Sequence, residues 1–324
     1  MDEMNAYSLP ERPPIVGELV DLAGAVDLHV HSYPSLFPRL TDDLGLAAAY
    51  RAAGFGGFAI KAHHESTASR AYLLGRLFPD LHIAGGVVLN RFVGGLNPSA
   101  VESCLRTGGR IVWMPSIDAH GHALAFGHTG GYAAQSAGLS GAPAGISVLD
   151  DAGKLRPELF EIMALVKRHD AVLATAHLSA EEVVALVPAA LADGVEKVVI
   201  THPFFRTPGL DLETLAGLVG RGAYTEFVYT TLSPMWRHTD IDHVRAAVAR
   251  LGAERCLLAS DGGQRHNPSP PEGLRVFAQS LFERGVGEAE IGRMVRANPR
   301  ALLGLAAQPA RDNAAGAAEL STGR

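Results

Sequence analysis

Five residues of this chain have side chains that hold divalent metals, and each stands where a short apolar run stops. His29 and His31 close the run that begins at Val26, His177 follows residues 171–175, His202 follows 197–201, and Asp261 follows 256–260. In His29-Val30-His31 the strand alternation points residues 29 and 31 the same way, so two imidazoles one pleat apart can chelate one ion. Asp27 falls on that face one step deeper, where it is either a partner that orients an imidazole or a polar group of the core. His177 or His202 alone would read as a structural histidine. At equivalent positions of adjacent strands, opposite a His-x-His pair, they read as ligands. The Asp261 carboxylate is costly to bury unless a cation meets it. Such a set calls for one or two divalent ions. Zinc is the default for imidazoles with one carboxylate, and Mn2+ or Fe2+ are the alternatives.

Other chemistry-bearing residues cluster at the same kind of position. Lys61-Ala62-His63-His64 ends another apolar run. One of its two histidines faces the site and the other faces solvent, with His64 the candidate for substrate. Glu226 ends a run at Phe227 and either binds substrate or pairs with a cation. Arg206, in the loop after His202, is the candidate anion binder; its plainer reading is a solvated loop charge. Asn90 and Trp113 are candidates to line the pocket, and Gln264 and His266 to shape its mouth. His120, His122 and His128 read as exposed loop residues.

These positions make sense only if the elements carrying them are parallel strands. Candidate strands at 26–30, 57–60, 82–88, 110–114, 171–175, 197–201, 223–227 and 256–260 alternate with helical stretches at 66–77, 98–106, 157–168, 180–191, 212–219 and 241–251. A helix starts near Thr41, read as its cap with acids in the first turn, and stops at Gly54. Two more, near 271–284 and 288–297, follow the last strand. Eight strand–helix units over about 280 residues predict an α/β fold, a (β/α)8 TIM barrel with an extra C-terminal helix, whose functional side chains come from strand C-termini. The rival, a doubly wound open sheet, prefers a glycine-rich turn after its first strand. This chain has His31-Ser32-Tyr33-Pro34-Ser35 there. Residues 1–305 form the single domain and 306–324 a flexible tail. Residues 116–151 form a long aperiodic loop after strand four, read as a lid.

Composition excludes several classes. A chain of 324 residues with 47% apolar and 19% charged residues can bury a large core, and a net charge of -6 without Lys/Arg runs offers no footprint for nucleic acid or an anionic membrane. No apolar stretch is long enough for a membrane span and no signal peptide is visible, so a cytoplasmic location is expected. Cys104 and Cys256 read as buried thiols. The expected partners are a small-molecule substrate and further copies of the chain in a homo-oligomer.

The ordered series His29-x-His31, His177, His202 and Asp261, with Asn298-Pro299-Arg300-Ala301-Leu302-Leu303-Gly304-Leu305 near the end, resembles the amidohydrolase superfamily of metal-dependent hydrolases, in an uncharacterised branch. The resemblance covers the chain from Asp27 to Leu305. It implies that His29 and His31 hold one metal with Asp261. His177 and His202 then hold a second, or His177 joins the first while His202 polarises substrate. Metal-activated water would cleave an amide, lactone or ester bond of a small molecule, with Asp261 moving the proton and His202 helping at the oxyanion.

The chain departs from the two-metal pattern on its fourth strand. Ile111-Val112-Trp113-Met114-Pro115 lacks the bridging lysine that is carbamylated in such members. A carbamylated Lys61 is the substitute; otherwise Lys61 binds a substrate anion or is a surface lysine. A single-metal decarboxylase using His29, His31, His177 and Asp261 is one alternative. Ile60-Lys61-Ala62-His63-His64 also resembles the second motif of the polymerase-and-histidinol-phosphatase family, which makes a metal-dependent phosphoesterase another. The acid expected there after strand three is absent from Val87-Val88-Leu89-Asn90. A barrel that binds metal without turnover would not require Asp261.

Overall fold

A computed structural model describes residues 18–132 and 144–306 of the chain. Short apolar runs form parallel strands β1 (Val26–Val30), β2 (Gly57–Ile60), β3 (His82–Ala84), β4 (Gly86–Val88), β5 (Ile111–Trp113), β6 (Val172–Ala174), β7 (Val198–Thr201), β8 (Tyr224–Val228) and β9 (Cys256–Ala259). They pair in the orders β1-β2-β3 and β4-β5-β6-β7-β8-β9. The two arcs are one ring. β3 and β4 are halves of a single stave broken at Gly85, and Val30 bridges Gly262 just past β9, where the His31 N–H donates to Gly262 O at 2.8 Å. The break has a local cause. The Thr67 hydroxyl takes the place of a strand neighbour by accepting from the Gly86 N–H at 2.9 Å, and a side chain at Gly85 would run into Thr67 O. The result is the eight-staved (β/α)8 barrel that the patterning predicts.

Helices α1 (Asp43–Ala52), α2 (Ala68–Leu77), α3 (Pro98–Arg106), α4 (His120–Phe126), α5 (Glu158–Arg168), α6 (Ala180–Ala192), α7 (Leu212–Gly220), α8 (Ile241–Leu251) and α9 (Pro270–Phe282) connect the staves. The cap of α1 is Asp42, whose side chain accepts from the Gly45 N–H, and not Thr41. The stretch read as an aperiodic loop contains α4, too short to show a helical period; residues 133–143 of that stretch lie outside the described residues. Apolar side chains divide into two layers. Val26, Leu28, Ile111, Trp113, Val172 and Leu257 fill the barrel lumen, and a larger cluster lies between strands and helices. Burial of both layers is the main source of stability. Among the described residues no helix is long and apolar enough to cross a membrane.

The C-terminal helix is α10 (Glu288–Gly292), a π-type turn over Arg293–Ala297, and α11 (Asn298–Leu302). Leu302 and Leu303 join the lumen layer and plug the end of the barrel away from the strand C-termini. Asn298 fixes that plug: its side-chain amide donates to Ala253 O and Cys256 O, both at 2.8 Å, at the start of β9. Asn298→Ala strands two buried carbonyls and should lower stability by about 2 kcal/mol, read as a lower urea midpoint with unchanged m. The expected tail, 306–324, lies outside the described residues beyond Ala306.

Candidate metal centre

At the strand C-termini the side chains converge. One ligand atom each of His29, His31 and Asp261 lie within 4.8 Å of one another. The His202 ring sits 6.1 Å from that of His29, and the His177 ring 5.1 Å from that of His202. All four imidazoles are buried, and Asp261 is slightly exposed to a cavity of about 240 Å³. Backbone strain accompanies the geometry. Ala176, just before His177, as well as His202 and Asp261 themselves, have φ of 47°, 31° and 47°, the left-handed region that non-glycine residues avoid.

Hydrogen bonds decide which ring nitrogens carry protons. His31 Nδ1 donates to Lys61 O at 2.8 Å, and His29 Nδ1 donates to the Glu226 carboxylate at 2.9 Å. Burial holds both rings neutral, His29 drawn down to about 3 and His31 well below the usual range. The Nε2 of each is therefore a bare lone pair. His31 Nε2 lies 3.0 Å, and His29 Nε2 3.2 Å, from Asp261 Oδ1, which is an acceptor as well. His31 Nε2 and Asp261 Oδ1 meet without a shared proton and repel one another unless a cation sits between them, and imidazole and carboxylate donors suit a divalent ion. The residues present fit a metal.

Lys61 reaches the same lone pair, with Nζ 3.0 Å from His29 Nε2. It is 2% exposed and is absent from the cavity wall, which removes its readings as a surface lysine and as a substrate contact. Burial lowers Lys61 and raises Glu226, while each partly restores the other's charge.

His177 is set by a residue expected to be exposed. His122 Nε2 donates to Gly131 O at 2.8 Å, so its Nδ1, 3.0 Å from His177 Nδ1, accepts, and the His177 Nε2 lone pair is left free for an ion. Gly121 permits this, since a Cβ there would press on His177 O and the backbone beyond it. His122 is fully buried.

Other positions also move. Asp27 does not orient an imidazole ring: its carboxylate accepts from Tyr50 Oη at 2.7 Å and from the backbone N–H groups of His29 and Ser260. It faces α1 because the β1–β2 register shifts between Asp27 and Val30, which breaks strict alternation. Burial pushes Asp27 up to about 7. Glu226 orients His29 and does not line the cavity. Of the pair after β2 it is His63 that lines the cavity, stacked 4.9 Å from His31 and bonded to Ser116 Oγ; His64 packs edge-on against Phe92. Arg206 is exposed and lies over the Phe126 ring, away from the cavity, whereas the unforeseen Arg39 lines it. Asn90 pins loops, bonding His63 O, Ser116 and the Asp118 N–H, and Trp113 belongs to the lumen core. Gln264 and His266 do line the cavity.

The sequence matches a family of unknown function, DUF6282, over residues 24–226, more than half of the chain. The chain belongs to the DUF6282 family. No curated protein matches it. Solved structures similar to this DUF6282 chain include an amidohydrolase from Pseudomonas aeruginosa, with 12% identity over 87% of this chain and 97% of the other and a TM-score of 0.57. An organophosphorus hydrolase from Deinococcus radiodurans shares 14% identity over 88% and 93%, with a TM-score of 0.55. A 2,6-dihydroxybenzoate decarboxylase from Rhizobium shares 12% over 87% and 99%, with a TM-score of 0.50. These likenesses establish that the DUF6282 chain has the barrel fold of amidohydrolase-superfamily structures.

Proposed function

We propose that this chain is a metal-dependent hydrolase of amidohydrolase type, acting on an amide, lactone or ester bond of a small molecule. The observation that carries this reading is the 3.0 Å approach of two acceptors, His31 Nε2 and Asp261 Oδ1, at the floor of the cavity. His29, His31 and Asp261 would hold the first ion, with His177 and His202 beside it. A bound divalent ion supplies Lewis acidity and lowers the pKa of water. Zinc suits these donors best.

The chain's own residues do the rest. Asp261 borders both the imidazoles and the cavity, so its carboxylate can take a proton from the attacking water and return it to the leaving group. His202 is neutral, drawn down to about 3 by burial, and its ring lines the cavity. As a neutral donor in the cavity wall it can polarise a substrate carbonyl without giving up its proton. Glu226 and His122 keep the rings of His29 and His177 in the ligand orientation.

One observation favours a single-ion decarboxylase as the second reading. β5 offers only Ile111, Val112 and Trp113 where a bridging lysine would stand. Elemental analysis of the purified protein should find divalent metal, and chelation should abolish hydrolysis across a panel of esters, lactones and amides. Turnover that persists in metal-free protein would defeat both readings.

A further inference from the structure

The wall of the cavity holds a buried guanidinium that Asp261 attracts only through space, with no ion pair to any acid among the described residues. Arg39 is 5% exposed, yet among the described residues its one hydrogen bond runs from Nε to Ser35 Oγ at 3.3 Å, and it has no carboxylate partner. A part-buried arginine of the same chain is held differently. Arg70, in α2, bonds Asp43 through two nitrogens at 2.9 and 2.7 Å and Glu65 at 2.7 Å. A buried guanidinium left without an anion is costly, and its five donors form a rigid fork matched to a planar oxyanion. Burial draws Arg39 down only to about 10, so it stays charged at neutral pH.

Its position is built. The loop from β1 is clamped onto the segment after β9, where the Leu40 N–H donates to Gly263 O at 2.8 Å and Arg265 Nε donates to Arg39 O at 3.3 Å. Gly263, at φ 120°, has no room for a Cβ against the His31 carbonyl. Arg39 thus stands in the same wall as His31 and Asp261, with Phe37, Tyr132, Phe205 and Trp236 also lining it. Apart from Pro38 the apolar lining is aromatic, and Tyr132 and Trp236 meet edge to face at 5.2 Å. At about 240 Å³ the cavity is at or below the small end of ligand pockets, which begin near roughly 300 Å³.

We infer that the substrate is a small planar compound, aromatic or unsaturated and of about one ring, whose carboxylate is held by the Arg39 guanidinium while the aromatic wall covers its faces. This deepens the hydrolase reading and rests on it for the place of the reacting bond. A carboxylate fits better than a phosphate ester because Arg39 is one charge. Lys61 is engaged at His29, and Arg265 is exposed at the mouth. A dianion would meet too little positive charge and would face Asp261.

Calorimetric titration of the purified full-length protein, with metal content measured for each sample, tests this with benzoate, benzamide and phenyl phosphate. Benzoate should bind roughly tenfold or more tightly than benzamide, the scale of a charge-assisted pair out of water. Arg39→Gln should erase that preference, and Arg39→Lys, which keeps the charge but loses the fork, should weaken benzoate several-fold and leave benzamide unmoved. Equal binding of benzoate and benzamide by the unaltered protein overturns the proposal. So does a preference that survives both substitutions, which would put the carboxylate on the metal. Phenyl phosphate binding more tightly than benzoate, and weakened by Arg39→Gln, replaces the carboxylate with a phosphate. Missing metal or missing hydrolysis with the benzoate preference intact counts against the hydrolase reading and leaves Arg39 in place.

Discussion

Asp261→Asn should lower turnover about a thousandfold at saturating metal, within the range of removing a positioned acid–base group. The substitution is chosen for its backbone. Asp261 has φ 47°, and asparagine enters the left-handed region more readily than other side chains, so the loop after β9 should hold its course. Alanine there would add strain to the chemical deletion. The Asn amide cannot take up the proton of an attacking water. It can donate to His29 Nε2 or His31 Nε2, which now face Asp261 Oδ1, so metal affinity should also fall. Separating the two effects requires turnover and bound metal on the same samples. Full activity at full metal occupancy would show that the proton travels another way.

That experiment was reachable from the sequence, because what it needs is local. A strand end is visible as the last residue of an apolar run, and in a parallel barrel those ends share one mouth. His29, His31, His177, His202 and Asp261 could therefore be placed together without knowing how the chain closes. The residues that escaped depend on closure. Arg39 lies in a loop with no period, and it reaches the cavity because Leu40 bonds Gly263, far along the chain. His122 lies on a seven-residue helix in a Gly/Ala/His-rich stretch, and a glycine next to it lets that helix press against His177. The His-His pair after β2 was ambiguous because alternation stops where the strand stops. Strict alternation puts Asp27 on the His29 face, and the irregular register between β1 and β2 that turns it toward α1 as a polar group of the core is not written in residue types. Glu226 was visible as a strand-end acid; that its target is His29 Nδ1 required a distance across the barrel.

Lys61→Ala should cost metal affinity on the order of a hundredfold, the upper range for losing a group that supports a metal site, and small carboxylates such as acetate should restore part of it. The argument begins with a conflict in the geometry. Lys61 Nζ lies 3.0 Å from His29 Nε2, the same lone pair that an ion would use. As an ammonium, Lys61 competes with the ion, and removing it should then tighten metal binding. As a carbamate, it presents two oxygens to the ion and supplies the anion that β5 lacks. Burial favours the second state, because it draws Lys61 down toward the neutral amine that reacts with carbon dioxide. Glu226 and Asp261 oppose that shift, and an ion bound at His29 and His31 would offset them by repelling the ammonium and stabilising the carbamate. Metal titrations of the unaltered protein and Lys61→Ala, each with and without bicarbonate and acetate, separate the two states. Weaker binding by the variant together with acetate rescue supports the carbamate. Tighter binding that is indifferent to both additives means that Lys61 is a cationic competitor of the metal, and the carbamate is then abandoned.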